Sequence, residues 1–293
     1  MNSTISDPRT QYPQPPYSRE KQLPPGNERE MVPRSDHGEE TYKGHGLLTG
    51  RKALVTGADS GIGRAVALAF AREGADVAIG YHSEDDDAEE TRRLVAGEGR
   101  QAVLLRGDIG DPAVCQCLAA KAAEELGTID LLVNNAAYQR NYGAFEDIPD
   151  EEFEEAFRVN VFAMFRLCKA LLPQMPAGAS IINTASIQSF DPSPGLIAYA
   201  ATKAAIGSFT RSLANLAIAR GVRVNAVAPG PVWTPLIPAT LEADKVENFG
   251  ANTAFQRAAQ PAEMAPVFVF LASPLASYVT GEIYGATGGQ MPV

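Results

Sequence analysis

From Lys52 onward the chain alternates short apolar runs with longer amphipathic stretches, and that alternation narrows the folds open to it. "KALVTG", "ADVAIGYH", "QAVLLRGD", "IDLLVNNAA", "ASIINTAS", "VRVNAVAPG" and "GEIYGATGG" read as seven strands. Between them stand helical stretches such as "AVALAFAREG", "AVCQCLAAKAAEELG" and the long "DEEFEEAFRVNVFAMFRLCKALLP". The strands are apolar at consecutive positions, so both of their faces are buried. Strands separated by helices join in parallel, with helices on both sides of the sheet. The expected fold class is α/β: one doubly wound domain over residues 47–293, built on a parallel seven-stranded sheet.

Residues 1–46 differ from the rest. They hold seven of the 21 prolines, charges of both signs and no periodic apolar face. Such a segment cannot bury enough surface to fold alone. It is either a disordered tail or an extended arm laid over the domain or over a neighbouring subunit. Tyr12, Tyr17, Met31, Val32 and Tyr42 are scattered anchors, and polyproline-like stretches lose little entropy on ordering. The arm is the favoured reading.

A formal net charge of -10 argues against a nucleic-acid or anionic-membrane surface. It suits a protein of the cytoplasm that handles a small-molecule substrate. The N-terminus lacks a basic start followed by an apolar run, and no apolar stretch nears the roughly 20 residues of a membrane span. Three cysteines are too few and too ill-spaced for a disulfide framework or a structural zinc site. The three histidines, His37, His45 and His82, form no ligand pattern, so no metal is expected.

"TGADSGIG" places Gly57, Gly61 and Gly63 between the first strand and the first helix. Glycines there let the backbone approach a pyrophosphate, whose charge meets the helix N-terminus. No "GK[ST]" follows, which disfavours a nucleoside-triphosphate loop. The adenosine ribose should meet the end of the second strand, where an acid favours NAD and a basic residue NADP. Tyr81 and His82 stand there instead, with acids from Glu84 onward, and Ser60 occupies the other place for a basic group. Both NAD and NADP stay open, with a lean to NAD. Asp108, Asn134 and Ala136, at the ends of the third and fourth strands, would line the adenosine side.

"YAATK" sets Tyr199 and Lys203 four residues apart, on one helix face, thirteen residues after Ser186. A tyrosine has a pKa near 10, too high for proton exchange at neutral pH. A nearby ammonium favours the phenolate and moves the group toward its operating range. A serine hydroxyl can then donate to a developing alkoxide.

Taken together, "TGADSGIG", "NNAA" at 134–137, Asn160 in "FRVNVF", Ser186, "YAATK" and "PG" at 229–230 resemble the short-chain dehydrogenase/reductase family, in family order over roughly residues 50–289. In detail the chain is similar to a bacterial subgroup with a Pro-rich N-terminal extension, related to glucose and alcohol dehydrogenases. The resemblance implies a Rossmann fold and hydride transfer between a nicotinamide cofactor and an alcohol or carbonyl. Tyr199 would be the general acid/base, and Ser186 would hold the substrate oxygen. Lys203 would bond the nicotinamide ribose and lower the tyrosine's pKa, and Asn160 would hold a relay water. Ile62, Ile109, Pro229, Gly230, Val232 and Thr234 would complete the cofactor contacts, and Gln188 would line the substrate site. A homotetramer is implied as well. Two departures stand out: Ala136 or Ala137 where the family commonly has glycine, and Thr287 where an acid usually precedes the paired glycines. The rival readings are a same-fold epimerase or dehydratase and a non-catalytic dinucleotide-binding regulator.

Overall fold

The computed structural model describes residues 6–290. Its single sheet has seven parallel strands: β1 (Lys52–Thr56), β2 (Asp76–Tyr81), β3 (Ala102–Arg106), β4 (Leu131–Asn134), β5 (Ser180–Thr184), β6 (Arg223–Pro229) and β7 (Ile283–Ala286). They lie in the order β3-β2-β1-β4-β5-β6-β7. The order reverses between β1 and β4, and in such sheets ligands bind at the carboxyl ends beside that reversal.

One face of the sheet carries α1 (Gly61–Arg72), α2 (Asp85–Gly97) and α9 (Pro261–Ala272), with Phe70, Val66 and Phe268 in its core. The other carries α3 (Pro112–Leu126), α4 (Asp150–Phe157), α5 (Ala163–Leu171) and α6 (Ile197–Ala217), around Leu118, Leu167 and Ile206. Every residue of β2 and β6 is buried, as the consecutive apolar runs require. Local signals set the helix starts. Asp111 caps α3 by accepting from the Ala113 N–H at 2.8 Å, with Pro112 in the first turn. Gln260 and Glu263 form a capping box at α9.

The long fourth helix of the sequence reading is interrupted. A π-helical turn over Arg158–Phe162 separates α4 from α5. The wider turn holds one extra residue, a device that commonly re-aims a side chain at a functional site. Asn160 lies in that turn and is buried. Two short helices, α7 (Leu236–Thr240) and α8 (Ala243–Glu247), follow β6 over the sheet's carboxyl edge.

Residues 6–46 run along the outside of this domain with one 3-10 turn, Glu28–Glu30. Tyr17 stacks on Trp233 with ring centroids 4.3 Å apart, and both bury against Met31, Ile237, Leu241 and Val246. Arg72 donates to the main-chain oxygens of Gly38, Glu39 and Tyr42 at 2.5–2.7 Å. Glu73 accepts from the Tyr42 hydroxyl and from the His45 and Leu47 N–H groups. The segment is thus bonded to the domain of the same chain as well as within itself.

Candidate functional site

Four strand ends and α6 meet at the carboxyl edge. Ser186 follows β5, and its Oγ accepts from the Gln188 N–H at 3.1 Å, which leaves the hydroxyl proton free to point elsewhere. α6 brings Tyr199 and Lys203 to the same place. Lys203 is 2% exposed, its Nζ 5.3 Å from the centre of the Tyr199 ring. That ammonium donates to the Thr184 main-chain oxygen at 2.7 Å. Burial pushes the Tyr199 phenol up to about 12, with the Ser186 hydroxyl pulling the other way, and pushes Lys203 down to about 7. Lys203 is buried and Tyr199 half-buried, and the loss of solvent disfavours ammonium and phenolate alike.

Asn160 joins the group by an unexpected route. Its Oδ1 accepts from the Tyr138 N–H at 2.7 Å, and its Nδ2 donates to the Tyr138 oxygen at 2.8 Å and to Thr202 Oγ1 at 3.0 Å. The side chain clamps the strand exit after "NNAA" to α6. Asn160, Lys203, Asn134 and Thr184 also line a small cavity with room for about one water.

At the cofactor end, β1 runs through Gly57 and Ser60 into Gly61, Ile62 and Gly63 at the start of α1. A Cβ on Gly63 would lie 1.8 Å from the Gly57 oxygen, so no other residue lets the helix start this close to the strand. Amides of a first helical turn have no partner within the helix and can meet a phosphate. Thr56 and Asn135 brace the turn: Thr56 Oγ1 accepts from the Asn135 and Ala136 N–H groups, and Asn135 Nδ2 donates to the Thr56 and Gly57 oxygens at 3.1 Å. These contacts and the buried lysine fit a dinucleotide: open amides for the pyrophosphate, and an ammonium where its other end would lie.

The other expected cofactor residues are placed unequally. Tyr81 ends β2 but donates its hydroxyl to Asp85, and His82 beside it is exposed. Asp108 accepts from the Gly110 N–H at 2.8 Å and pairs with Arg158 at 3.3 Å. Burial raises its carboxyl, but these two partners hold it below its usual value. Ile109 and Ala136 line the small cavity. Asn134 is buried, and its Nδ2 donates to Asn183 Oδ1 at 2.8 Å. Pro229 ends β6, the Gly230 N–H bonds the Ala286 oxygen, and Val232 bridges to Ala259. Thr234 lies against Gly61. Gln188 closes the following loop on Ser193, accepting from its N–H at 2.6 Å and donating to its Oγ at 2.9 Å.

Several contributors escaped the sequence reading. Asn135 and Thr202 sit inside quoted motifs, where their side chains could have been asked about. Gln139, which donates to Thr240 at 2.7 Å, and Glu28, which reaches the glycine turn, carry no spacing signal because their partners are remote in the chain.

Comparison with known proteins agrees with this geometry. The profile described as Enoyl-(Acyl carrier protein) reductase matches residues 57–290. The uncharacterized oxidoreductase YghA of Escherichia coli (strain K12) is 49% identical over 98% of this chain and 99% of its own length. Glucose and ribitol dehydrogenase of Daucus carota is 43% identical over 94% of this chain and 97% of its own. Among solved structures, a short-chain dehydrogenase from Burkholderia cenocepacia J2315 in complex with NADP superposes with a TM-score of 0.79 at 31% identity, covering 83% of this chain and 99% of that one. The lean to NAD gains no support from that neighbour. This chain belongs to the short-chain dehydrogenase/reductase family and is a nicotinamide-dependent oxidoreductase.

Proposed function

We propose that this chain interconverts a small hydroxylated alcohol and its carbonyl partner, with Tyr199 exchanging the proton. One observation carries the reading: Lys203 Nζ lies buried beneath the Tyr199 ring on the strand edge that also presents Ser186. When bound, the nicotinamide supplies the hydride donor or acceptor and, in its oxidised form, a positive charge beside the phenol. Tyr199 gives its proton to the substrate oxygen in reduction and takes it back in oxidation. Ser186, whose Oγ already accepts from Gln188, uses its O–H to hold the same oxygen. Lys203 would hold the cofactor ribose, and its bond to the Thr184 main-chain oxygen at 2.7 Å fixes where its ammonium stands. The cavity between Lys203 and Asn160 offers a water position for the proton's way out, which supports the relay role of Asn160.

Polar side chains stand on the segments that follow β4, β5 and β6. Gln139 and Thr240 bond each other, Gln188 and Ser193 close one loop, and Lys245 meets Asn141 at 3.2 Å. Such groups suit a substrate with several hydroxyls, in keeping with the name of the carrot relative. The glycine turn with Ser60, Tyr81 and His82 forms the adenosine side, open to NAD or NADP; the solved neighbour holds NADP. Asp108, Ile109, Asn134 and Ala136 make its floor, and Pro229, Gly230, Val232 and Thr234 the nicotinamide wall. Phe153, Phe162 and Phe165 stand exposed on α4, the π-helical turn and α5, a face fit for pairing two copies on the way to a homotetramer. None of the described helices is long and apolar enough to cross a membrane, and we place the enzyme in the cytoplasm.

The test is a panel of polyols, sugars, simple alcohols and their carbonyls, offered with NAD and with NADP, following absorbance of the reduced nicotinamide. Turnover of a polyol or sugar supports the reading. A protein that turns over none of the panel with either cofactor refutes it.

A further inference from the structure

Glu28 lies in the Pro-rich segment, yet it is 4% exposed. Its Oε2 accepts from the Gly61 N–H at 2.8 Å, at the first turn of α1, and pairs with His37 Nε2 at 3.2 Å. Its own N–H donates to Asp87 Oδ2 at 2.8 Å, and Asp87 faces Arg64 at 3.5 Å. Glu28, Asp87, Arg64 and His37 thus form one buried cluster joining the segment, α1 and α2, with Glu39 3.0 Å from His37 Nδ1 and Arg29 3.9 Å from Asp87 at its edge. With His37 protonated the three carboxylates face three cations and the formal charges balance, so the cluster can stay buried at modest cost.

The same segment grips the opposite wall of the cleft. A Cβ on Gly26 would lie 2.5 Å from the Pro235 oxygen, so the chain presses directly on the backbone that follows Thr234. Trp233 Nε1 donates to the Pro33 oxygen at 2.8 Å, and Ser35 Oγ donates to the Trp233 oxygen at 3.2 Å. Thr234 in turn lies 2.9 Å from where a Gly61 Cβ would sit. Residues 26–37 therefore touch both the glycine turn and the nicotinamide wall.

We infer that residues 26–37 are a clasp across the cofactor cleft and that Glu28 is the positioning residue that holds the glycine turn in its binding shape. This rests on the cofactor reading above. The carboxylate takes the first open amide of α1, at Gly61, and fixes that backbone. The next amides, at Ile62 and Gly63, are then aligned before the pyrophosphate arrives and need not be ordered on binding. Because the paired charge of His37 stands behind it, Glu28 does not present a free negative charge to the phosphates.

The experiment titrates the full-length protein with NADH and NADPH in the absence of substrate, following nicotinamide fluorescence and the emission of Trp233, the single tryptophan. Glu28→Ala should weaken dinucleotide binding about ten-fold and shift Trp233 emission to the red, while kcat at saturating cofactor stays within about two-fold. Glu28→Gln keeps an acceptor for Gly61 and should stay within about three-fold of wild type. Should Glu28→Ala fail to fold, His37→Gln, which removes the support behind the carboxylate, should weaken binding about three- to five-fold. Wild-type affinity in Glu28→Ala, or in a folded His37→Gln when the alanine variant does not fold, overturns the clasp alone. A wild-type protein that binds neither dinucleotide overturns the functional reading as well.

Discussion

Lys203 Nζ donates to the Thr184 main-chain oxygen at 2.7 Å while standing 5.3 Å from the centre of the Tyr199 ring. The last residue of β5 thus anchors the ammonium that serves the phenol. Burial pushes that ammonium down to about 7. The unfolded chain binds the proton more tightly than the folded one between about pH 7 and 10.5, so this group's cost to stability eases as pH rises through that window. Lys203→Met should remove turnover and raise the melting temperature at pH 6. The gain should shrink by pH 9, where the folded lysine is largely neutral. At its largest the effect is about 5 kcal/mol, reduced by the lost bond to Thr184. Calorimetry at the two pH values checks it, and a destabilised variant at pH 6 would contradict the account.

Tyr199→Phe should reduce kcat by about a thousand-fold, because it removes the hydroxyl that exchanges the substrate proton. Dinucleotide affinity should stay within about two-fold, since the ring and Lys203 keep their packing. Single-turnover kinetics and a binding titration separate the two effects.

Asn160→Ala frees both main-chain groups of Tyr138 and one bond to Thr202. The buried partners left behind should cost about 2–4 kcal/mol of stability. If Asn160 also holds the water beside Lys203, kcat should fall about ten-fold or more while the substrate KM changes little. Denaturant melts and steady-state kinetics report the two consequences independently.

His37 is buried between Glu28 and Glu39, with Arg64 of α1 nearby and Asp87 of α2 across the cluster. Burial lowers its pKa, but the two carboxylates more than compensate and hold it at about 9. A raised histidine contributes stability that is fully present below about pH 6.5 and lost as pH rises through about 9. Trp233 emission should therefore shift to the red between about pH 8 and 10, and the shift should vanish in His37→Gln. An emission spectrum that stays constant across this range would rule out titration of the cluster.

Much of the scaffold was legible because parallel α/β order writes itself into the chain. The apolar run of β6 and the glycines at the head of α1 are local signals, and each demands one backbone environment. Asn160 shows where that legibility ends. Its residue type and position were visible, but the π-helical turn that aims it and the Tyr138 backbone it clamps were not. Asn134 is a second case: its place in the motif was visible, but not the buried acceptor that Asn183 in the next strand offers its Nδ2.

Residue order alone determined the sheet, the glycine turn and the helical spacing of Tyr199 and Lys203, since each follows from periodicity, backbone freedom or helix geometry within a short window. Tertiary structure alone set the surroundings of that pair, because packing against the sheet buries Lys203 and half-buries Tyr199, which raises the phenol and lowers the ammonium. It alone also brought Glu28 to Gly61, 33 residues away. A Pro-rich segment carries no periodicity that names its partner, and only the assembled cleft offers its carboxylate an open amide and a balancing charge.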